Sequence, residues 1–348
     1  WSWFVSNPIN NYNVAVNAGN YVNFTDTLHG KKGTLDLSYW ALEQHLDEAK
    51  EQFRQVKPMI RCFEDWFGPY PFYEDSYKLV EAPHLGMEHQ SAVAYGNHFE
   101  NGYLGRDLSG TGWGLKWDFI IIHESAHEWW GNNITTNDIA DMWIHEGFTS
   151  YAESIYTECR FGKEAGAEYT IGLRKLINND RPIIGPYGVN KEGSKDMYYK
   201  GNNLVHTIRQ IIDSDSTFKD ILRGLQKDFY HQTVTTKQVE SYINEHTDYD
   251  LSPVFDQYLR HANLPTLQYK IQENKLKYRW KADVQGFDMP IKVNVDKGPY
   301  TFIQPVTGRW KTTDSSLDDP AKFKIDENFY VRTESLKSDM EPAPSNKK

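Results

Sequence analysis

The pentapeptide His123-Glu124-Ser125-Ala126-His127 constrains this chain more tightly than any other feature. On an α-helix, residues four apart stand one above the other on the same face. The two imidazoles can therefore point at one ion. Glu124 lies about 100° around from His123 and can reach a water held there, which is the arrangement of zinc hydrolases. Phe119-Ile120-Ile121-Ile122 leads in and Trp129-Trp130-Gly131 leads out, so the pentapeptide sits in a strongly apolar segment. Buried His and Glu side chains need partners, and one metal ion would serve all three. The competing interpretation is a charged stretch of an ordinary amphipathic helix. The longer pattern HExxHxxGxxH is not met, because Trp130 stands at its Gly and Asn133 at its third His. A further carboxylate, Glu146, follows 19 residues beyond His127 in Trp143-Ile144-His145-Glu146-Gly147-Phe148. Spacing alone does not separate Glu146 from His145 as a third ligand, and Glu146 could equally be a carboxylate at a helix start.

His123-Glu124-x-x-His127 followed by Trp143-x-x-Glu146-Gly147-Phe148 resembles the gluzincin aminopeptidases of the aminopeptidase N family. The resemblance implies Zn2+, one ion per chain, held by His123, His127 and Glu146, with Glu124 as general base. It leaves His145 as a neighbour without assigned duty. Leu85-Gly86-Met87-Glu88-His89-Gln90 resembles the family's GxMEN segment, whose Glu holds the substrate α-amine. This implies Glu88 as the amine anchor, with Gly86 and Met87 as alignment residues. Leu85 and His89 depart from that pattern, which bears on how substrate is aligned. Met197-Tyr198-Tyr199-Lys200-Gly201 resembles the family's Tyr-x-Lys-Gly element and implies Tyr198 as donor to the oxyanion. Without the resemblance, Tyr198 and Tyr199 read as aromatic residues opening a core helix. The three elements occur in family order, and the resemblance runs from about Tyr21 to Ala262. Asn132, Asn133 and Asp141 are candidate partners for the far sides of the imidazoles.

The chain has 348 residues, enough for two or three domains. Its longest apolar run, Phe119 to Ile122, is far too short to span a bilayer. A formal net charge of -10 argues against nucleic acid as partner. Weak alternation over residues 1–25 predicts strands, and Leu35 to Phe67 reads as helical, with Leu42, His45, Leu46 and Ala49 on one face. Pro58 should kink or divide that helix, and Gly68-Pro69-Tyr70-Pro71 stops it. Tyr77 to Ala82 and Ser91 to Tyr95 read as strands flanking Glu88, a sheet edge that could hold an extended peptide. Asn97 to Gly114 reads as a loop. Helices follow at about 116–131, 144–161, 163–179, 198–212, 217–230, 236–246 and 251–262. After Ala262-Asn263-Leu264-Pro265 the period switches to two.

The pattern gives an α+β fold, and the resemblance implies a thermolysin-like, mainly helical zinc-peptidase domain at 26–262, followed by a small β-sandwich at 263–336. By the same resemblance, residues 1–25 would be remnant β-strands of a truncated N-terminal β-domain; 337–348 reads as a disordered tail. Trp1-Ser2-Trp3-Phe4 is neither an initiator Met nor a signal peptide, so the chain reads as processed, trimmed or a fragment. The family places a second polar contact for the substrate amine in its front domain, and no counterpart is recognisable here. Cys62 and Cys159 do not make a disulfide framework; they read as free buried thiols, with one bridge between them as the alternative.

The implied reaction is hydrolysis of the N-terminal peptide bond, with peptides carrying a free N-terminus as partners, and neither nucleic acid nor membrane. An endopeptidase on the same scaffold is the first alternative, should Leu85, His89 and a missing wall relax selection for the amine. A non-catalytic peptide-binding protein is the second, and the presence of both Glu124 and Tyr198 argues against it.

Overall fold

A computed structural model describes residues 4–296, 298–317 and 320–336. The expected tail at 337–348 and the first three residues lie outside the described residues. The chain divides into two compact units. One comprises the residues up to 178 together with 183–248, the other residues 179–182 together with those from 249 on.

The first unit opens with a segment, residues 4–20, that holds a short 3-10 turn at Asn11–Asn13 and no strand. The strands expected across residues 1–25 begin only with β1 (Tyr21–Gly30), which pairs antiparallel with β2 (Gly33–Leu42). The second strand corrects the helix expected from Leu35. Leu35, Leu37, Tyr39 and Ala41 are buried and the residues between them are not. That is the period of a half-buried strand, and it outweighs the four helix-spaced residues downstream. Helix begins with α1 (Leu46–Gln52) and continues, after a 3-10 turn at Phe53–Gln55, as α2 (Val56–Phe67). The division falls where Pro58 requires it. Pro58 lies in the first turn of α2, where its missing N–H costs little.

β3 (Tyr77–Glu81), β4 (Gly86–Met87) and β5 (Val93–Tyr95) complete a five-stranded sheet of order β1-β2-β3-β5-β4. β4, which ends immediately before the expected anchor Glu88, is thus an edge strand, paired antiparallel to β5. Next comes α3 (Phe119–Ala126), shorter than the helix expected at 116–131. Asp118 starts it by accepting from the backbone N–H of Ile120 and Ile121. His127 is its C-cap, and the chain turns away at Gly131, whose φ of 138° suits glycine.

β6 (Ile134–Thr136) precedes α4 (Trp143–Phe161), which is buried from Trp143 to Thr157 and forms the central helix of the unit. α5 (Lys163–Gly172), α6 (Tyr199–Ile212), α7 (Asp215–Asp228), β7 (Gln232–Val234) and α8 (Thr236–Glu245) follow. Gly147 of α4 and Gly201 of α6 face each other. A Cβ on Gly201 would stand 2.8 Å from the Gly147 Cα, so these two glycines allow the helices to touch. The cysteines are not free. Cys62 of α2 and Cys159 of α4 form a disulfide with a Cα–Cα distance of 6.1 Å. The expectation of thiols failed because sequence spacing carries no information on two helices that meet 97 residues apart.

The second unit contains α9 (Ser252–Arg260), β8 (Thr266–Gln272), β9 (Lys275–Lys281), β10 (Ile291–Val293), β11 (Thr301–Ile303), β12 (Lys311–Asp314) and β13 (Arg332–Ser335). Four strands form a sheet of order β12-β9-β8-β13, and β10 pairs with β11. Alternate residues Leu276, Tyr278 and Trp280 are buried, as are Ile291 and Val293. The Gln257 side chain donates to the Asn263 carbonyl and accepts from the N–H groups of Asp283 and Val284, which ties α9 to these strands.

Candidate active site

α3 and α4 bring three ligand atoms together. His123 Nε2 lies 3.5 Å and His127 Nε2 3.4 Å from Glu146 Oε2. The other ring nitrogens are committed elsewhere. His123 Nδ1 donates to Glu153 Oε1 at 2.7 Å, and His127 Nδ1 donates to the Trp130 carbonyl at 2.9 Å. Glu153 is fully buried, and its second oxygen accepts from the Tyr169 hydroxyl at 2.7 Å. Fixing both tautomers in this way turns both Nε2 lone pairs toward one point. Glu146 Oε2 is buried there and has no hydrogen-bond partner among the described residues. An orphaned carboxylate oxygen facing two imidazole lone pairs has the donor chemistry of a zinc site with an open fourth position. These residues therefore fit the metal.

The electrostatics point the same way. Burial opposes charge on His127, yet the neighbouring Glu146 carboxylate outweighs it and pushes the imidazole up to about 9. Glu146 is driven well below the carboxylate range despite its burial, because His127 and His123 face it. A cation at this point would take the place of those protons. Burial pushes the Glu124 carboxyl up to about 7 against the opposing pull of the two imidazoles. Burial brings His145 down to about 4, so it is neutral. Its Nε2 accepts from the Thr136 N–H at 2.9 Å, which gives it the structural duty of holding β6.

The remaining expected residues gather around this centre. Glu88, Glu124 and His127 offer ligand atoms within 4.8 Å of one another, as do His123, His127 and Glu146. The Tyr198 hydroxyl donates to Glu146 Oε1 at 3.1 Å, and burial followed by the Glu146 charge keeps that phenol protonated. The Gly147–Gly201 contact explains how Tyr198, at the start of α6, reaches Glu146 in the first turn of α4. Gly86 is also required to be small. A Cβ there would meet Glu124 Oε1 at 3.0 Å and Ile120 Cγ2 at 2.7 Å, so β4 runs directly against the Glu124 side of α3. Met87, beside it on β4, is half-buried.

Asn132, Asn133 and Asp141 do not support the imidazoles. Asn132 Nδ2 donates to the Glu88 carbonyl at 2.9 Å, so it places the acidic loop instead. Asn133 donates to Gln226 and accepts from the His231 N–H. Asp141 accepts from the N–H and hydroxyl of Thr236, at the start of α8. The true partner Glu153 lies seven residues, two helical turns, beyond Glu146, and that spacing on one face is the signal that could have found it. Glu128 also escaped notice. It accepts from the Ser91 N–H and the Tyr70 hydroxyl and so ties the loop after Glu88 to the end of α3. A third group, Tyr12, donates to Glu88 Oε1 at 3.3 Å from 76 residues away, and no local pattern marks it.

The sequence profile of the Peptidase family M1 domain matches residues 51–258, more than half of the chain. The chain belongs to peptidase family M1. Endoplasmic reticulum aminopeptidase 1 of Mus musculus is 24% identical over 215 residues, which are 58% of this chain and 23% of that protein. Leukotriene A-4 hydrolase of Xenopus laevis is 23% identical over 251 residues, 68% of this chain and 38% of the relative. The chain thus spans well under half the length of these curated relatives. Among solved structures, Legionella pneumophila aminopeptidase A in complex with aspartic acid superposes with a TM-score of 0.70 at 14% identity, covering 92% of this chain and 39% of the other. An M1 zinc metallopeptidase of Deinococcus radiodurans, solved as a variant bound to a Tyr-Ser-Ala substrate, gives a TM-score of 0.55 at 20% identity over 71% of this chain and 53% of that one. At these identities the superpositions establish the fold. Among the described residues, no helix is long and apolar enough to cross a membrane.

Proposed function

We propose that the chain is a zinc-dependent aminopeptidase that removes the first residue of peptides, with one zinc ion per chain held by His123, His127 and Glu146. The observation that carries this reading is Glu88. A buried acidic side chain reaches the same centre as Glu124 and His127, within 4.8 Å, where a peptide's α-ammonium would need an anion. Zinc, when bound, supplies Lewis acidity for the attacking water and the scissile carbonyl. Glu124 takes the proton from that water and passes it to the leaving amine. Tyr198 donates its hydroxyl hydrogen to the developing oxyanion, a group worth about two to three orders of magnitude in rate where such donors have been removed. Glu88 pairs with the α-ammonium, and the edge strand β4, with Gly86 and Met87, lies where an extended peptide backbone could add to the sheet. The departures Leu85 and His89 lie on either side of that strand and anchor.

The test compares aminoacyl anilides with free and with N-acetylated amines, on the wild type and on Glu124→Gln. Rapid cleavage of the free-amine series only, with Glu124→Gln inactive yet still containing zinc, supports the proposal. Equal cleavage of both series would identify an endopeptidase on this scaffold. Full activity in Glu124→Gln would remove the base assignment.

A further inference from the structure

A strap that precedes β1 is hydrogen-bonded across the Glu88 side of the site. Residues 6–13 are pinned first at Asp75 and then at the segments that carry Glu88 and Asn132. The N–H groups of Ser6 and Asn7 donate to the Asp75 carboxylate. Gln90 Nε2 donates to the Pro8 carbonyl at 2.8 Å, and Asn10 Nδ2 to Thr135 Oγ1 at 3.2 Å. The strap then turns through the 3-10 residues Asn11–Asn13. Asn13 is buried, and its Nδ2 donates to Asn132 Oδ1 at 2.8 Å. Asn132 in turn donates to the Glu88 carbonyl. Between Asn10 and Asn13, the Tyr12 hydroxyl donates to Glu88 Oε1 at 3.3 Å, while 41% of the residue stays exposed. One turn of the strap therefore holds Glu88 twice, through its carboxylate by Tyr12 and through its backbone by Asn13 and Asn132.

Resting on the aminopeptidase reading, we infer that Tyr12 is a specificity-determining residue that contacts the substrate's α-ammonium and ends the cleft one residue beyond the scissile bond. An ammonium group has three donors, and one carboxylate does not satisfy them all. The Tyr12 hydroxyl gives its hydrogen to Glu88 and so keeps its lone pairs available as a second acceptor at that position. A residue preceding the ammonium in a longer or blocked peptide would meet the Tyr12 ring, and the strap's anchors keep that ring from moving aside.

The experiment uses Tyr12→Phe, which keeps the ring, and Tyr12→Ala, which removes it. Binding of leucinamide is measured by calorimetry in a Glu124→Gln background, and KM and kcat are measured for free and N-acetylated aminoacyl anilides. Tyr12→Phe should weaken leucinamide binding about tenfold, the scale of one hydrogen bond to a charged group. Its KM should rise by a similar factor, with a smaller fall in kcat. Tyr12→Ala should in addition raise the ratio of acetylated to free-amine cleavage by about tenfold or more. Wild-type leucinamide affinity in Tyr12→Phe, in an enzyme that still selects free amines, overturns the inference about Tyr12 alone. A wild type that does not select free amines overturns the aminopeptidase reading and this inference with it.

Discussion

Tyr198 bonds Glu146 and Glu153 bonds His123, and the two should separate in experiment. In the proposed mechanism Tyr198, which donates to Glu146 Oε1, serves the oxyanion, whereas Glu153 sits on the far nitrogen of His123 and sets its tautomer. Tyr198→Phe should lower kcat by about 10²- to 10³-fold and leave zinc content unchanged, as read by elemental analysis. Glu153→Gln should weaken zinc binding by about 10- to 100-fold, measured by competition with a chelator, with activity restored by excess zinc. At this scale much was legible in the sequence. His123, Glu124, His127, Glu146, Glu88 and Tyr198 were named from motifs and are brought together by the fold. Glu153 was not, because it lies in no short motif and its partner is on another helix. Asn132, Asn133 and Asp141 were candidates by proximity in sequence, and their side chains turn to other elements.

The placement of α3 depends on the residue before it. Asp118 caps the helix and also accepts from Gln52, Tyr95 and Asn97. Burial nevertheless outweighs these donors and pushes its carboxyl up to about 6. Folded Asp118 then binds its proton more tightly than the unfolded chain does. Its stabilising contribution is full below about pH 4 and is lost as pH rises through about 6. In urea unfolding, the stability advantage of wild type over Asp118→Asn should be larger near about pH 5 than near about pH 8, by about 1 kcal/mol. An advantage that grows with pH would show that the donors prevail over burial. The contact of α4 with α6 is the second such dependence. Gly201→Ala should cost about 1–3 kcal/mol through overpacking against Gly147 and lower kcat with it, since Tyr198 reaches Glu146 only while the helices touch. Thermal unfolding and steady-state rates check both halves. Helices of strong periodicity were legible to within a few residues, as at α4. The stretch from Leu35 was misjudged because alternation and helical spacing overlap around Leu42, and only burial decides which period prevails.

Across the whole molecule, the disulfide closes a long loop between α2 and α4, the helix that carries Glu146 and Glu153. Replacing both Cys62 and Cys159 with Ser should lower unfolding stability by about 2–4 kcal/mol, read as a shift of the urea midpoint. Reduction of the wild type should produce the same shift, and an unchanged midpoint in both would show that packing of α4 alone holds the helices. Motifs in sequence determined the family and the fold class, and they named the side chains that the fold gathers at one centre, because the proposed metal ligation and proton transfer demand particular side chains at helical spacings. Tertiary structure alone decided the partners 30 to 97 residues away: Glu153 behind His123, Tyr12 over Glu88, Gly147 against Gly201 and Cys62 bonded to Cys159. Contacts of that kind leave no period in the chain, since they depend on where separate helices and segments come to rest against each other.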